Sequence, residues 1–432
     1  TPSPLPPVAV FDADSPPALA FTRSLGRAGV PVHVFAPGRL PAARLSRFAA
    51  RFSRCPPLED LAAFSQWLIA AVGSGQVSLV APTSDLVTFH LSRLGGRVPA
   101  AMQRAVAPEE ALLDTLMKDR FAAACARASV PTPATRLPRS GAEAARDGRE
   151  MRYPLVLKPR SHVGIGLVRG TVVANPQELA AAFRPYSVSR LASSWETRHP
   201  DLRWPLLQEF VPGAACALYS VAGLLDANGG VVAATASRKL AEWPPRLGIG
   251  TAFEPCSDPL VLARGVEAAR KLLGQGLFEL ELIRNQLTGQ LLLVDANPRA
   301  YGQIRFDIAR GIDLPLLWYR HAALGASEPA AASSAAKDLL WIHTLPYHVG
   351  QLVRLVQGPG RRARARAYAR VLTHPRVGAA ADLRDPLASA AYVARTLPHL
   401  SGMVRSFLEQ PVEEDCPRGG ALVAAEAEEV AA

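Results

Sequence analysis

Lysine is scarce in this chain. Of its 48 basic residues only Lys118, Lys158, Lys239, Lys271 and Lys337 are lysine, and the other 43 are arginine. With abundant alanine and proline, that imbalance is the mark of GC-rich coding. The net charge of +11 therefore says little about nucleic acid. A lysine retained against such a bias is a candidate for a site that needs a compact ammonium charge. Cysteine is scarce as well. Cys55, Cys125, Cys216, Cys256 and Cys416 are scattered, odd in number and free of any Cys-x-x-Cys spacing. This argues against both a disulfide scaffold and a zinc site. No run approaches the roughly 18 unbroken apolar residues of a membrane span. The opening TPSPLPPVAV lacks the basic and long apolar regions of a secretory signal, so a reducing cytoplasm is expected.

What is present is a globular composition, 49% apolar and 20% charged. At about 150 residues per domain, 432 residues suggest two or three domains. The first hundred residues alternate short apolar runs (8–11, 32–35, 77–81) with a helical pattern over 17–28, the rhythm of a parallel α/β sheet. Ligands on such sheets sit beyond the strand ends, which makes 12–15 and 83–85 a pocket rim, although turn chemistry alone also accounts for these residues. No Gly-x-Gly-x-x-Gly follows the first run, which disfavours a dinucleotide site. From Pro108 to Ser129 the pattern is one long helix, and hairpin-linked strands flanked by helices then indicate an α+β region. Segment 187–203 reads as a loop. Beyond about 325 an Ala/Ser-rich break precedes a helical remainder and a partly acidic tail.

Three stretches carry chemistry. In Glu279-Leu280-Glu281-Leu282 the two acids share one strand face. Downstream, Asp295-Ala296-Asn297-Pro298-Arg299 ends another strand. Glu281, Asp295 and Asn297 offer only hard oxygen donors, a set that suits Mg²⁺, although solvated strand-end acids fit as well. The second stretch runs from Lys158 through Ser161 to Gly164 and Gly166. A strand-end lysine and a glycine-containing loop can cradle phosphates, but no Gly-Lys-Ser/Thr makes it a Walker motif, and a plain hairpin is the simpler reading. The third, Gln208-Glu209-Phe210-Val211 before Pro-Gly, reads as an edge segment with backbone groups able to meet an adenine.

In this order, from about Leu116 to Pro315, these stretches resemble the ATP-grasp superfamily of carboxylate–amine ligases. The resemblance implies a Rossmann-like α/β domain (1–107) ahead of a two-subdomain α+β ATP-grasp domain (108–325, its flap at about 134–206). A mainly helical C-terminal extension with an acidic tail (326–432) follows. It implies ATP and Mg²⁺ as cofactors, with a carboxylate activated as an acyl phosphate and joined to an amine. Lys118 and Lys158 match the family's phosphate lysines, and Glu209, Phe210 and Val211 its adenine linker. Glu281, Asp295 and Asn297 match its magnesium ligands, and Arg299 the arginine beside the transferred phosphate. Arg238 and Lys239, at another strand end, are candidates for the γ-phosphate or the substrate carboxylate, and Arg305 has similar standing. Two positions depart from the pattern. Asp295 replaces a common Glu, and Ala214 replaces an acid that holds the ribose.

Arg361–Arg370 would form a cationic helix suited to an anionic lipid or polyanionic substrate, though a solvated helix in an arginine-biased chain explains it too. Tyr368 alone interleaves, which disfavours nucleic acid. Two further readings stay open: a carboxylase-type reaction on bicarbonate, and a non-catalytic nucleotide- or surface-binding protein. The identities of acid and amine, and the oligomeric state, are not encoded in any motif.

Overall fold

The computed structural model describes residues 5–95, 99–161, 163, 165, 170–190, 193–211, 217–244, 247–326, 338–357 and 361–408. Gly164, Gly166, Ala214 and the acidic tail lie outside them.

The first domain is a small parallel sheet, β1 (Val8–Val10), β2 (Val32–Ala36) and β3 (Arg51–Arg54), in that order. Val8, Val10, Val32 and Val34 are fully buried, as strands covered on both faces require. Helix Pro16–Arg27 starts where Ser15 Oγ accepts from the Ala18 N–H, with prolines in its first turn. The run 77–81, expected as a strand, supplies only a bridge from Val80 to Ala9. Pro82 follows directly and has no N–H to extend the ladder.

The long helix expected from Pro108 is two helices, Glu109–Leu116 and Lys118–Arg127. Met117 is extended between them, and the Lys118 N–H donates to the Arg160 carbonyl (2.7 Å) in place of a helical partner. The next sheet holds β4 (Thr135–Arg136), β5 (Leu155–Lys158), β6 (Thr171–Val173) and β7 (Leu206–Glu209) in the order β4-β7-β5-β6, all antiparallel. Leu155 and Leu157 bury one face in a cluster with Leu179 and Phe183, so Val156 and Lys158 project from the other. Segment 187–203, expected as a loop, contains helix Ser193–Arg198 and a 3-10 turn, Pro200–Arg203. Trp195 anchors it, packed edge-on to Phe89 of the first domain at 4.8 Å.

The largest sheet has seven strands: β8 (Leu218–Leu225), β9 (Val231–Trp243), β10 (Ile249–Pro255), β11 (Gly276–Arg284), β12 (Leu291–Asn297), β13 (Leu340–Ile342) and β14 (Arg376–Gly378). Their order is β12-β11-β8-β9-β10-β13-β14. One face carries Val221, Phe278 and Leu280 under helix Pro259–Leu272. Gly265 lets that helix approach, since a Cβ there would meet the Val221 side chain at 2.5 Å. The opposite face carries Ser220, Glu279, Glu281 and Asp295.

The C-terminal region is mainly helical, as expected, but it is not an appendage. Leu340, Trp341 and Ile342 are buried and join the sheet beside β10, where Trp341 packs on Phe253 and Phe306. Helix Pro386–Thr396 docks on the first domain, where Asp385 pairs with buried Arg23 at 2.8 Å. The Asp385 carboxylate also accepts from Ser46 Oγ and the Arg47 N–H. One apolar core runs from β1 through Phe21 and Trp318 to Phe278. Among the described residues no helix is long and apolar enough to cross a membrane.

Candidate active site

Strand pairing builds the site. In the β11–β12 hairpin Glu281 lies directly opposite Asp295, and Glu279 directly opposite Asn297. Alternation aims all four side chains at the face that helix Pro259–Leu272 leaves open. Three of the five lysines meet this face. Lys118 Nζ pairs with Asp295, and Lys239 Nζ reaches Glu281 at 3.3 Å. Lys158 arrives from the smaller sheet, and its charge is felt together with those of Asp295, Lys118, Glu281 and Lys239. Of the other two lysines, Lys271 pairs with Glu267, and Lys337 lies outside the described residues.

The electrostatics follow from burial. Desolvation pulls the Lys158 ammonium below the ordinary lysine pKa, against the pull of Asp295. Gln208 Oε1 accepts from its Nζ (2.9 Å), while Gln208 Nε2 donates to Thr135 Oγ1. Gln208 therefore steadies the lysine. Lys239 is buried as well, and there Glu281, Glu242 and Glu279 outweigh desolvation and raise its pKa. Burial, and after it the charge of Glu281, raises the pKa of Glu279. Arg299 grips Asp85 of the first domain (Nε to Oδ1 2.5 Å, Nη2 to Oδ2 3.1 Å) and also donates to Asn297 Oδ1 at 3.0 Å. Desolvation of that guanidinium is more than offset by Asp85 together with Glu279 and Asp295, which hold it protonated.

Several expected residues stand elsewhere. Arg238 projects from the opposite face of β9 to Lys239, toward the helix side, where its Nε donates to Glu254 on β10 at 2.6 Å. Neighbours along a strand cannot share a face, so Arg238 is removed from the candidate catalytic set. Leu206–Glu209 is an inner strand rather than an edge, and the N–H groups of Glu209 and Phe210 are committed to the carbonyls of Ala134 and Pro154. Val211 instead joins an apolar patch with Ile283 and Leu292. Ser161 is buried and its Oγ accepts from the Val163 N–H. Arg305 donates to the carbonyls of Gly378 and Ala381 and is taken up by the fold. Asp85 falls in the 83–85 pocket rim expected from the sequence, but its pairing with Arg299 had no motif to announce it. Ser220 and Gln303, which surround Glu279, carried no signal.

The donor set fits a magnesium ion bound with phosphates. Glu281 and Asp295 keep 31% of their side-chain surface exposed. Among the described residues no cluster of three His, Cys, Asp or Glu side chains closes a cage. Two carboxylates and one amide oxygen leave coordination positions for phosphate oxygens, as Mg²⁺ prefers.

No family model matches the chain, and no curated protein matches it. Solved structures do. The biotin carboxylase domain of 2-oxoglutarate carboxylase from Hydrogenobacter thermophilus, in complex with MgADP, ADP and bicarbonate, superposes with a TM-score of 0.59 at 15% identity, over 78% of this chain and 74% of that one. An ADP complex of N5-carboxyaminoimidazole ribonucleotide synthetase gives 0.60 at 15% identity, over 82% and 85%. The same synthetase from Thermotoga maritima gives 0.55 at 13%, over 77% and 78%. The chain has the ATP-grasp fold.

Proposed function

We propose that this ATP-grasp protein is an ATP- and Mg²⁺-dependent ligase that activates a carboxylate as an acyl phosphate and joins it to an amine. The observation that carries the reading is the convergence of Lys118, Lys158, Lys239 and Arg299 on the opposed pair Glu281 and Asp295. A carboxylate attacking a phosphoryl group brings two anions together, and preorganised cations in a buried site lower that barrier. In this reading Lys118 and Lys158 hold ATP phosphates, and Val211 with Ile283 and Leu292 offers apolar surface to the base. Glu281, Asp295 and the Asn297 oxygen hold Mg²⁺, which when bound would neutralise phosphate oxygens. Lys239 and Arg299 face the reacting groups. The loop after Lys158 excludes water that would hydrolyse the acyl phosphate.

Bicarbonate as the carboxylate is the second reading, favoured by the bicarbonate and the carboxyamino products named for the structural neighbours. The partners required are small molecules, with the cytoplasm as the compartment. The exposed Arg361, Arg362, Arg366 and Arg370 would meet an anionic lipid or polyanionic substrate.

ADP release by the purified protein with Mg²⁺ and ATP tests the reading, against pooled carboxylic acids with and without pooled amines. Release that needs both pools supports the ligase. Release with bicarbonate and no other acid moves the carboxylase ahead. No ADP release together with no ATP binding sinks both and leaves a non-catalytic protein.

A further inference from the structure

We propose that Glu279 is a positioning residue that sets the orientation of the Asn297 amide, so that Oδ1 and not Nδ2 is presented to Arg299 and to the cation. The proposal rests on the reading of Asn297 as a metal ligand.

Glu279 and Asn297 are directly opposed across β11 and β12. Asn297 Nδ2 donates to Glu279 Oε2 at 2.7 Å, and Asn297 Oδ1 accepts from Arg299 Nη2 at 3.0 Å. An amide between neutral groups can turn over at little cost, since its two ends have the same shape. Here, with Glu279 ionised, it lies between an anion and a cation. Reversal would set its oxygen against the Glu279 carboxylate and its NH₂ against the guanidinium, two repulsive contacts in place of two charge-assisted hydrogen bonds.

Glu279 is itself fixed. It is 3% exposed, and Oε1 accepts from both Ser220 Oγ and Gln303 Nε2 (3.3 Å). Gln303 Nε2 also donates to Ser220 Oγ at 3.0 Å, which closes the network. A carboxylate committed to three donors is an anchor, whereas Glu281 and Asp295 each pair with an ammonium group and keep surface exposed. Outer partners of this kind orient the groups that touch a metal.

The test is the gain in ADP affinity that Mg²⁺ brings to the full chain, measured by calorimetry with and without the metal. Glu279→Gln keeps the shape and removes the discrimination. It should cut that gain by about 10-fold, with metal-free ADP affinity changed less than about 2-fold. Glu279→Gln with Asn297→Asp should restore the gain to within about 3-fold, because a carboxylate presents oxygen in either orientation. A full gain in Glu279→Gln overturns the proposal, as does a double variant no better than the single. Should Glu279→Gln fail to fold alone, Asn297→Asp is compared with the double variant. The single then faces two carboxylates at hydrogen-bond distance and should lose the gain that the double regains. Absence of any Mg²⁺-dependent gain in the unaltered protein overturns the metal reading and the proposal together.

Discussion

Arg299 holds both oxygens of the Asp85 carboxylate, although the two residues lie 214 apart in the chain. Asp85 opens a helix whose cap is Ser84, and Arg299 follows the end of β12. The Ala300 N–H beside it donates to the Pro82 carbonyl at 2.8 Å, so the two turns are tied at adjacent points. The turn at Pro82–Asp85 thereby fixes where the guanidinium of the site stands.

Asp85→Ala should therefore slow turnover by about 10- to 100-fold, the usual penalty for a reacting group displaced by an ångström. ADP affinity, measured by calorimetry, should change less than about 3-fold. A parallel loss of affinity would mean that Asp85 supports the nucleotide site as a whole.

Arg238 and Lys239 are neighbours with opposite fates. Lys239→Ala removes an ammonium paired with Glu281 and should cost turnover by about 100-fold or more. Arg238→Ala removes a partner of Glu254 on the other face of β9 and should leave turnover within about 2-fold, at a stability cost of about 1 kcal/mol. Initial rates and denaturant midpoints for the two variants decide the matter.

His90 is buried and neutral, with Nε2 against the Leu58 carbonyl and Nδ1 against Ser65 Oγ. Burial lowers its pKa from 6.5 to about 4. Between those values the unfolded chain takes up a proton that the folded chain refuses. The stability that depends on neutral His90 is complete above pH 6.5 and declines as pH falls toward 4, by up to about 3 kcal/mol. Urea unfolding at several pH values should show this slope, and His90→Gln should reduce it by one proton's share, because burial also lowers His33 and His343 to about 4.

Asp385→Ala should destabilise the protein by about 3–5 kcal/mol, because it leaves a buried guanidinium without its anion. Denaturant unfolding measures the loss. A cost near zero would show that the carbonyl of Ala380 and the hydroxyl of Ser389, which also accept from Arg23, suffice.

Much of this was legible in sequence where the signal was local. The alternation in Glu279-Leu280-Glu281-Leu282 gave the shared face of the acids, and the rarity of lysine singled out three residues that meet there. The misreadings have physical causes. Choosing between Arg238 and Lys239 requires knowing which face of β9 the helix covers, and that depends on Gly265 meeting Val221. Leu340–Ile342 is too short to announce a strand; only its place beside Phe253 makes it one. Segment 187–203 contains a helix whose Trp195 packs on Phe89, a contact about a hundred residues back in the chain that local spacing does not encode. Asp85 and Arg299 lie 214 residues apart, so no spacing could join them.

The pairing of Arg23 with Asp385 spans 362 residues of chain. Synthesis runs from the N-terminus, so the first domain emerges long before the carboxylate that neutralises its buried arginine. Arg23 has no Asp385 to pair with until the helix Pro386–Thr396 region is made. A chain cut at 325 would lack this anion and would leave Phe253 and Phe306 without Trp341. The part of the chain made first thus has one of its buried charges neutralised by a residue made near the end.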